Sequence, residues 1–240
     1  MRFYKYLISL CLFLIIFNCN EEQKTVFSDI NLTTNNNTIV EINIPEAKGD
    51  KIVSNHINSK IKKTIISALH IGNMDDIITT SVEESITSFN NEYTNFKTDF
   101  PETPLIWEAQ IDGEVMYNSA EIISIAITAF SNTGGAHGIL NISFLNFDSS
   151  TGYPIQNNQL FTNSEAFKTL ARSYFKDAIK DKNILLDYKQ FELPKNMGYS
   201  EDGIVLLYNI QEVTPYSNDI IEFVIPFEKA ESYLVFNSSH

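Results

Sequence analysis

Apolar residues recur along this chain with two different periods, and the change between them organises it. Leu7 to Phe17 comes first, an unbroken, uncharged and largely apolar run. The segment from Asn20 to Asn37 is polar and rich in Asn and Thr, with Val26 to Leu32 as a first strand inside it. Thr38 to Ile44 alternates, placing Val40, Ile42 and Ile44 on one face and predicting a strand that Pro45 stops. A helix opens at Gly49-Asp50, carries Ile52, Ile57, Ile61, Ile65 and Leu69 on its apolar side, and ends at Gly72. A second helix is predicted from Asp75 to about Lys97, with Ile78, Val82, Ile86, Phe89, Tyr93 and Phe96 facing inward. Asp75 and Asp76 suit the positive end of its dipole.

Beyond Pro101 and Pro104 the period becomes two. Leu105, Trp107, Ala109 and Ile111 alternate, and Asp112-Gly113 reads as the turn of a hairpin returning through Glu114–Asn118. Ile122 to Phe130 is almost continuously apolar and β-branched, as in a central strand, and Ile139 to Phe147 alternates again before a turn at Asp148–Gly152. Ser164 caps a helix to Lys180 whose buried side holds Phe167, Leu170, Ala171, Tyr174, Phe175 and Ala178. Leu185–Gly198 reads as irregular. Strands follow at Gly203–Ile210 and Ile220–Ile225, and a short helix closes the chain at Pro226–Tyr233. Strands and helices in runs, without a repeating βαβ unit, predict an α+β fold of mainly antiparallel sheets with packed helices.

Composition narrows the setting. The 240 residues include 43% hydrophobic and 20% charged side chains, which excludes an acidic disordered tail. The formal net charge is −13, with no basic cluster, so nucleic acid is not an expected partner.

The N-terminus reads as an address. Arg2 and Lys5 precede the apolar run, which is shorter than the roughly 17–25 residues of a membrane span and suits a signal peptide. Cys19 follows at once, where a bacterial lipoprotein carries its acylated Cys; the alternative is a secreted protein cut nearby. The only other cysteine, Cys11, would leave with the signal, so no intramolecular disulfide is expected in the mature chain. Removing residues 1–18 also removes Arg2 and Lys5, giving 15 − 30 = −15. Such a body repels anionic headgroups, so the expected membrane contact is the N-terminal lipid alone.

Candidate chemistry is sparse. The four histidines are His56, His70, His137 and His240. No His-Glu-x-x-His helix, Gly-x-Ser-x-Gly elbow or phosphate-binding glycine loop occurs, so neither metal nor cofactor is implied. His137 is the informative one. Gly134, Gly135 and Gly138 around it would permit positive φ and close backbone approach, either exposing N–H groups to an anionic or carbonyl ligand or merely shaping a tight strand connection. Tyr208 and Tyr216, beside Pro215, read either as core aromatics, the commoner role of strand and turn aromatics, or as a candidate aromatic ledge for a sugar or peptide.

The run Asn132-Thr133-Gly134-Gly135-Ala136-His137-Gly138, then Phe147-Asp148, Leu207-Tyr208-Asn209, Glu212-Val213-Thr214-Pro215-Tyr216 and Ile225-Pro226-Phe227 resembles an extracytoplasmic domain. That domain is shared by RsiV-type lysozyme-binding anti-sigma factors and the non-catalytic N-terminal part of PdaC-type peptidoglycan deacetylases. Ile44-Pro45 and Ile57-Asn58 resemble the partner domain that precedes it. With a signal peptide read over 1–18 and a polar tether over 19–37, the resemblance implies a PdaC-type N-terminal-like domain over 38–130 and an RsiV C-terminal-like domain over 131–236. It implies a non-catalytic lipoprotein of the envelope, at the outer membrane or cell surface of a Gram-negative bacterium. The implied partner is a glycan or a basic envelope protein such as a lysozyme. The alternatives are a hydrolase acting through His137 and a structural spacer.

Overall fold

The computed structural model describes residues 24–135, 137–180, 191–210, 212–213 and 219–236. Six strands form the first sheet in sequence order: β1 (Val26–Asn31), β2 (Val40–Lys48), β3 (Glu108–Asn118), β4 (Ile122–Asn132), β5 (Ile139–Asp148) and β6 (Pro154–Ile155). All neighbours pair antiparallel except β2 and β3, which run parallel from Val40↔Ala109 to Asn43↔Asp112. A parallel pair needs a crossover. Here it is two helices, α1 (Lys51–Leu69) and α2 (Val82–Asp99). A second, antiparallel sheet holds β7 (Asn196–Ser200), β8 (Gly203–Tyr208) and β9 (Ile221–Pro226). Helices α3 (Ser164–Ala178) and α4 (Phe227–Ala230) accompany it. The α+β class is therefore as expected, with one parallel pair. The first sheet continues through β6, and residues 130 and 131 both lie within β4.

Several local expectations give way to tertiary context. Pro45 does not end β2; it pairs with Asp29 on β1, and the parallel pairing to β3 has already stopped at Asn43, so its missing N–H interrupts nothing on that side. Asp112-Gly113 is not a turn but the middle of β3. A Cβ on Gly113 would stand 2.6 Å from the Pro45 ring and 3.0 Å from Ile127, so glycine there serves close packing. The second helix starts at Val82, after a separate 3-10 turn at Met74–Asp76. Ser81 accepts the Glu84 N–H, and the Glu84 carboxylate accepts the Thr80 N–H, a cap that sets the true start. Ile78 accordingly lies outside the helix and is 88% exposed, and Ile52, in the first turn of α1, also faces outward. Asn163, not Ser164, caps α3 by accepting the Ala166 N–H.

The two cores sit on opposite faces of the first sheet. Ile123, Ile125 and Ile127 of β4 point toward α1 and α2, where Ile57, Ile61, Ile65, Ile86 and Phe89 are buried. Ile122 joins the other core, with Met197, Tyr199, Leu206, Phe167 and Phe175. Burial on both faces explains why β4 reads as continuously apolar. A register shift in β3 between Val115 and Tyr117 switches sides: Val115 packs with the helices, whereas Tyr117 packs on Tyr199 and Phe227.

The junction of the sheets is polar and complete. The edge strand β7, expected to be irregular, lies against β4 and β5. Asn146 donates to the Met197 carbonyl at 2.8 Å, Tyr199 N–H donates to the Ser124 hydroxyl at 3.1 Å, and Ser124 donates to Asn146 Oδ1 at 2.9 Å. Gly198 between them admits no side chain, since a Cβ would meet Phe144 at 2.1 Å and Ser124 Oγ at 2.7 Å. Asn146→Ala should cost roughly 1–3 kcal/mol for each buried group it orphans, and Gly198→Ala about as much through overpacking. Urea unfolding of both variants checks this; wild-type midpoints would show that the junction is not needed.

Candidate functional site

A cleft of about 760 Å³ lies between the start of α1, the end of β3 and the turn from β5 to β6. Asp50 starts α1 by accepting the N–H groups of Ile52 and Val53 at 2.8 and 3.0 Å. The turn is built on Asp148, whose carboxylate accepts from the N–H and hydroxyl groups of both Ser150 and Thr151 at 2.7–3.1 Å. Gly152 then takes φ +70° and lies so close to α1 that a Cβ would stand 2.3 Å from the Val53 carbonyl oxygen. The turn is thereby seated on the first turn of α1.

His56 and Tyr153 meet across that contact. His56 Nδ1–H donates to the Thr151 carbonyl at 2.8 Å, which leaves Nε2 to accept in the neutral ring. The imidazole stacks on Tyr153 at 4.2 Å between centroids, 24° from parallel. Tyr153 is 60% exposed and Ile52 67% exposed, so the cleft carries an apolar, aromatic surface. Around it stand Asn118, Ser119, Ser150 and Thr151, with Lys24 as a cation and Asp50 as an anion. An aromatic face rimmed mainly by hydrogen-bonding side chains suits a sugar ring.

The residues singled out from sequence lie elsewhere. His137 is exposed on the β4–β5 loop. Among the described residues it makes no hydrogen bond to a carboxylate or nucleophile. Gly134 takes φ +84°, donates its N–H to Asn132 Oδ1 at 3.1 Å, and packs beside Leu105 and Trp107. Gly138 is needed for space, because a Cβ would stand 2.3 Å from the Phe130 ring; Gly135 is exposed. Tyr208 is no ledge. It is buried against Phe175, donates its hydroxyl to the Glu192 carbonyl at 2.7 Å, and burial with nearby Glu212 and Glu192 pushes its pKa well up. Its strand faces the second core, so the alternation that put an aromatic there served packing. Tyr216 and Cys19 lie outside the described residues.

The neighbours of Tyr208 are structural too. The Asn209 amide accepts from the Ile142 N–H and donates to its carbonyl, both at 2.8 Å, in the manner of a strand partner on β5. Glu212 accepts the N–H groups of Lys195 and Asn209 at 2.7 and 3.0 Å. His70 donates from Nε2 to the Asn73 carbonyl at 2.8 Å as α1 ends. No three His, Cys, Asp or Glu side chains among the described residues gather as a metal site. Sequence reading missed His56 and Tyr153 because a helix and a distant turn bring them together; the one signal was an aromatic directly after the Asp-Gly turn segment.

Burial pushes the Asp148 pKa up, but the hydroxyl and N–H donors of Ser150 and Thr151 outweigh it and hold the carboxyl below its ordinary 3.8. A lowered folded value means that the stability from Asp148 is present above 3.8 and is lost as pH falls through the folded value. Asp148→Asn should remove that dependence between about pH 5 and pH 2 and loosen the turn. Side-chain carbon NMR and melting curves over that range check it; an Asp148 titration at or above 3.8 contradicts it.

Residues 32–140 match the family model described as deacetylase PdaC, and residues 155–228 match a family described as a protein of unknown function, DUF3298. No curated protein matches the sequence. A crystal structure of a DUF3298 family member from Bacteroides fragilis shares the fold with TM-score 0.58 at 18% identity, covering 90% of this chain and 96% of that one. A DUF3298 family protein from Pseudomonas aeruginosa does so with TM-score 0.58 at 15% identity, covering 88% and 94%. The chain thus carries a two-domain module, PdaC-like in its first part and DUF3298-like in its second.

Proposed function

We propose that this protein is a non-catalytic lipoprotein of the cell envelope whose cleft beside α1 binds envelope glycan, with peptidoglycan as the first ligand class. The observation that carries the reading is the exposed Tyr153 stacked on His56 inside a cleft of about 760 Å³. A pyranose presents C–H groups to an aromatic face and hydroxyls to amides and Ser or Thr. Lys24 adds a cation for a carboxylate carried on the glycan or its peptide. The PdaC-like match supports a peptidoglycan setting. The apolar run before Cys19 supports the lipid anchor.

Tyr153→Ala should weaken binding to soluble peptidoglycan fragments by about tenfold while the melting temperature stays near wild type. Calorimetric titration checks this, and unchanged affinity removes the cleft from the reading. Cys19→Ser should shift the protein out of the membrane fraction or leave it uncleaved; unchanged partitioning and mass would sink the lipoprotein assignment. Turnover of glycan or ester substrates, lost in His137→Ala, would instead establish the hydrolase alternative.

A basic envelope protein such as a lysozyme is the second reading, favoured by the −15 charge of residues 19–240. Its association rate should fall steeply with salt, whereas glycan binding in the cleft should respond weakly.

A further inference from the structure

A second cleft, of about 410 Å³, opens between residues 34–38 and the outer face of α2. All nine residues lining it are Asn, Thr or Tyr. In a chain carrying 30 acidic and 17 basic side chains, an opening without a single charged residue is a distinct chemical environment. We propose that it is a binding site for an uncharged, hydroxyl-rich ligand, a neutral oligosaccharide, separate from the His56–Tyr153 cleft.

The frame of this cleft is fixed from within. Asn90 accepts the Thr38 N–H at 3.2 Å, and its amide donates to Asn37 Oδ1 at 3.1 Å and to the Ile86 carbonyl at 2.9 Å. Asn37 Oδ1 also accepts the Val40 N–H at 3.0 Å. These two amides hold the loop to the helix and have their polar atoms engaged. Asn35, Asn36 and Asn91 differ. They are exposed, and among the described residues their side chains make no hydrogen bond. Thr87 and Thr94 lie on the Asn91 face of α2 at helical spacing, three or four residues away. They spend their hydroxyl protons on the carbonyls of Glu83 and Asn90, so their remaining lone pairs are acceptors.

Donors and acceptors are therefore both on offer, on a rigid frame, with no net charge. A phosphate or carboxylate would find no cation, and a cation no carboxylate. An amide presents one donor and one acceptor side by side in a plane, which matches two adjacent sugar hydroxyls, each able to donate and accept. Tyr93, half-buried against Trp107, adds aromatic surface at the wall. The site is far from the first cleft. It adjoins the start of β2, level with the start of β3, whereas the first cleft adjoins Asn118 at the end of β3. A strand of that length spans roughly 35 Å, so the two sites can be tested independently.

The test uses the full chain with isotope-labelled Asn side chains, titrated with neutral oligosaccharides (linear glucans, mannans and chitin oligomers) and with charged counterparts (polyuronate and sulfated fragments). Binding of at least one neutral sugar should shift the Asn35, Asn36 and Asn91 amide signals. Affinity should fall by about tenfold in the Asn36→Ala/Asn91→Ala double variant, stay constant from low to high salt, and be untouched by Tyr153→Ala. Asn36 and Asn91 are exposed and, among the described residues, their side chains make no hydrogen bond, so the double variant should fold, which melting curves check. The proposal is overturned if no neutral oligosaccharide moves these amides at millimolar concentration, if charged glycans bind in preference, or if the double variant binds as wild type does.

Discussion

The arrangement of this molecule depends on one buried polar junction, where Ser124 and Asn146 bind the backbone of β7. Two sheets packed through apolar side chains alone could slide. An edge strand pressed into a protein interior would also bury unpaired N–H and C=O groups, at several kcal/mol in total. Here the side chains of the first sheet supply the missing partners at Met197 and Tyr199, and each polar atom of the Ser–Asn pair used in the junction has a partner. The hydrogen bonds fix the register of the second sheet, and Gly198 allows the approach that makes them short enough. The turn that seats the first cleft lies at the end of the same strand β5, so the junction also sets what the cleft can rest on.

Side-chain amides do this work repeatedly. Asn209 pairs with Ile142 as a short surrogate strand where β6 has ended, Asn37 and Asn90 tie a loop to α2, and Asn58 both accepts from and donates to the backbone of Ala47. An amide carries the same donor and acceptor as a peptide group, so it can complete a ladder without a further strand. This gives physical meaning to the high Asn content, which by sequence reads only as polar loop. It also separates framework from surface: the engaged amides hold the fold, while the exposed ones at Asn35, Asn36 and Asn91 are left for solvent or ligand.

The segments that carry the family resemblance are in large part such framework. Gly134 and Gly138 accommodate Trp107 and Phe130, Tyr208 fills the second core, and Asn209 and Glu212 satisfy backbone groups. These residues lie within 32–140 and 155–228, the stretches that match the PdaC and DUF3298 models. The aromatic surface open to solvent in the first cleft comes instead from Tyr153, just past a turn.

The sequence by itself determined the elements whose period is clean. Ile57, Ile61, Ile65 and Leu69 define α1, Phe167, Ala171 and Phe175 define α3, and the apolar run of β4 marks a strand covered on both faces. These follow from local spacing, because a helix or strand must bury the side its own residues make apolar. The tertiary structure decided what depended on distant neighbours. Pro45 and Gly113 lie in strands because they pack on each other. Tyr117 changes face because a bulge turns it, and Tyr208 is interior because its whole strand is. The cleft arises because a turn some ninety residues away is pressed onto α1, bringing Tyr153 under His56. No local pattern encodes that meeting: its two halves are ordinary a helix and a turn, and only the register of β5 places one on the other.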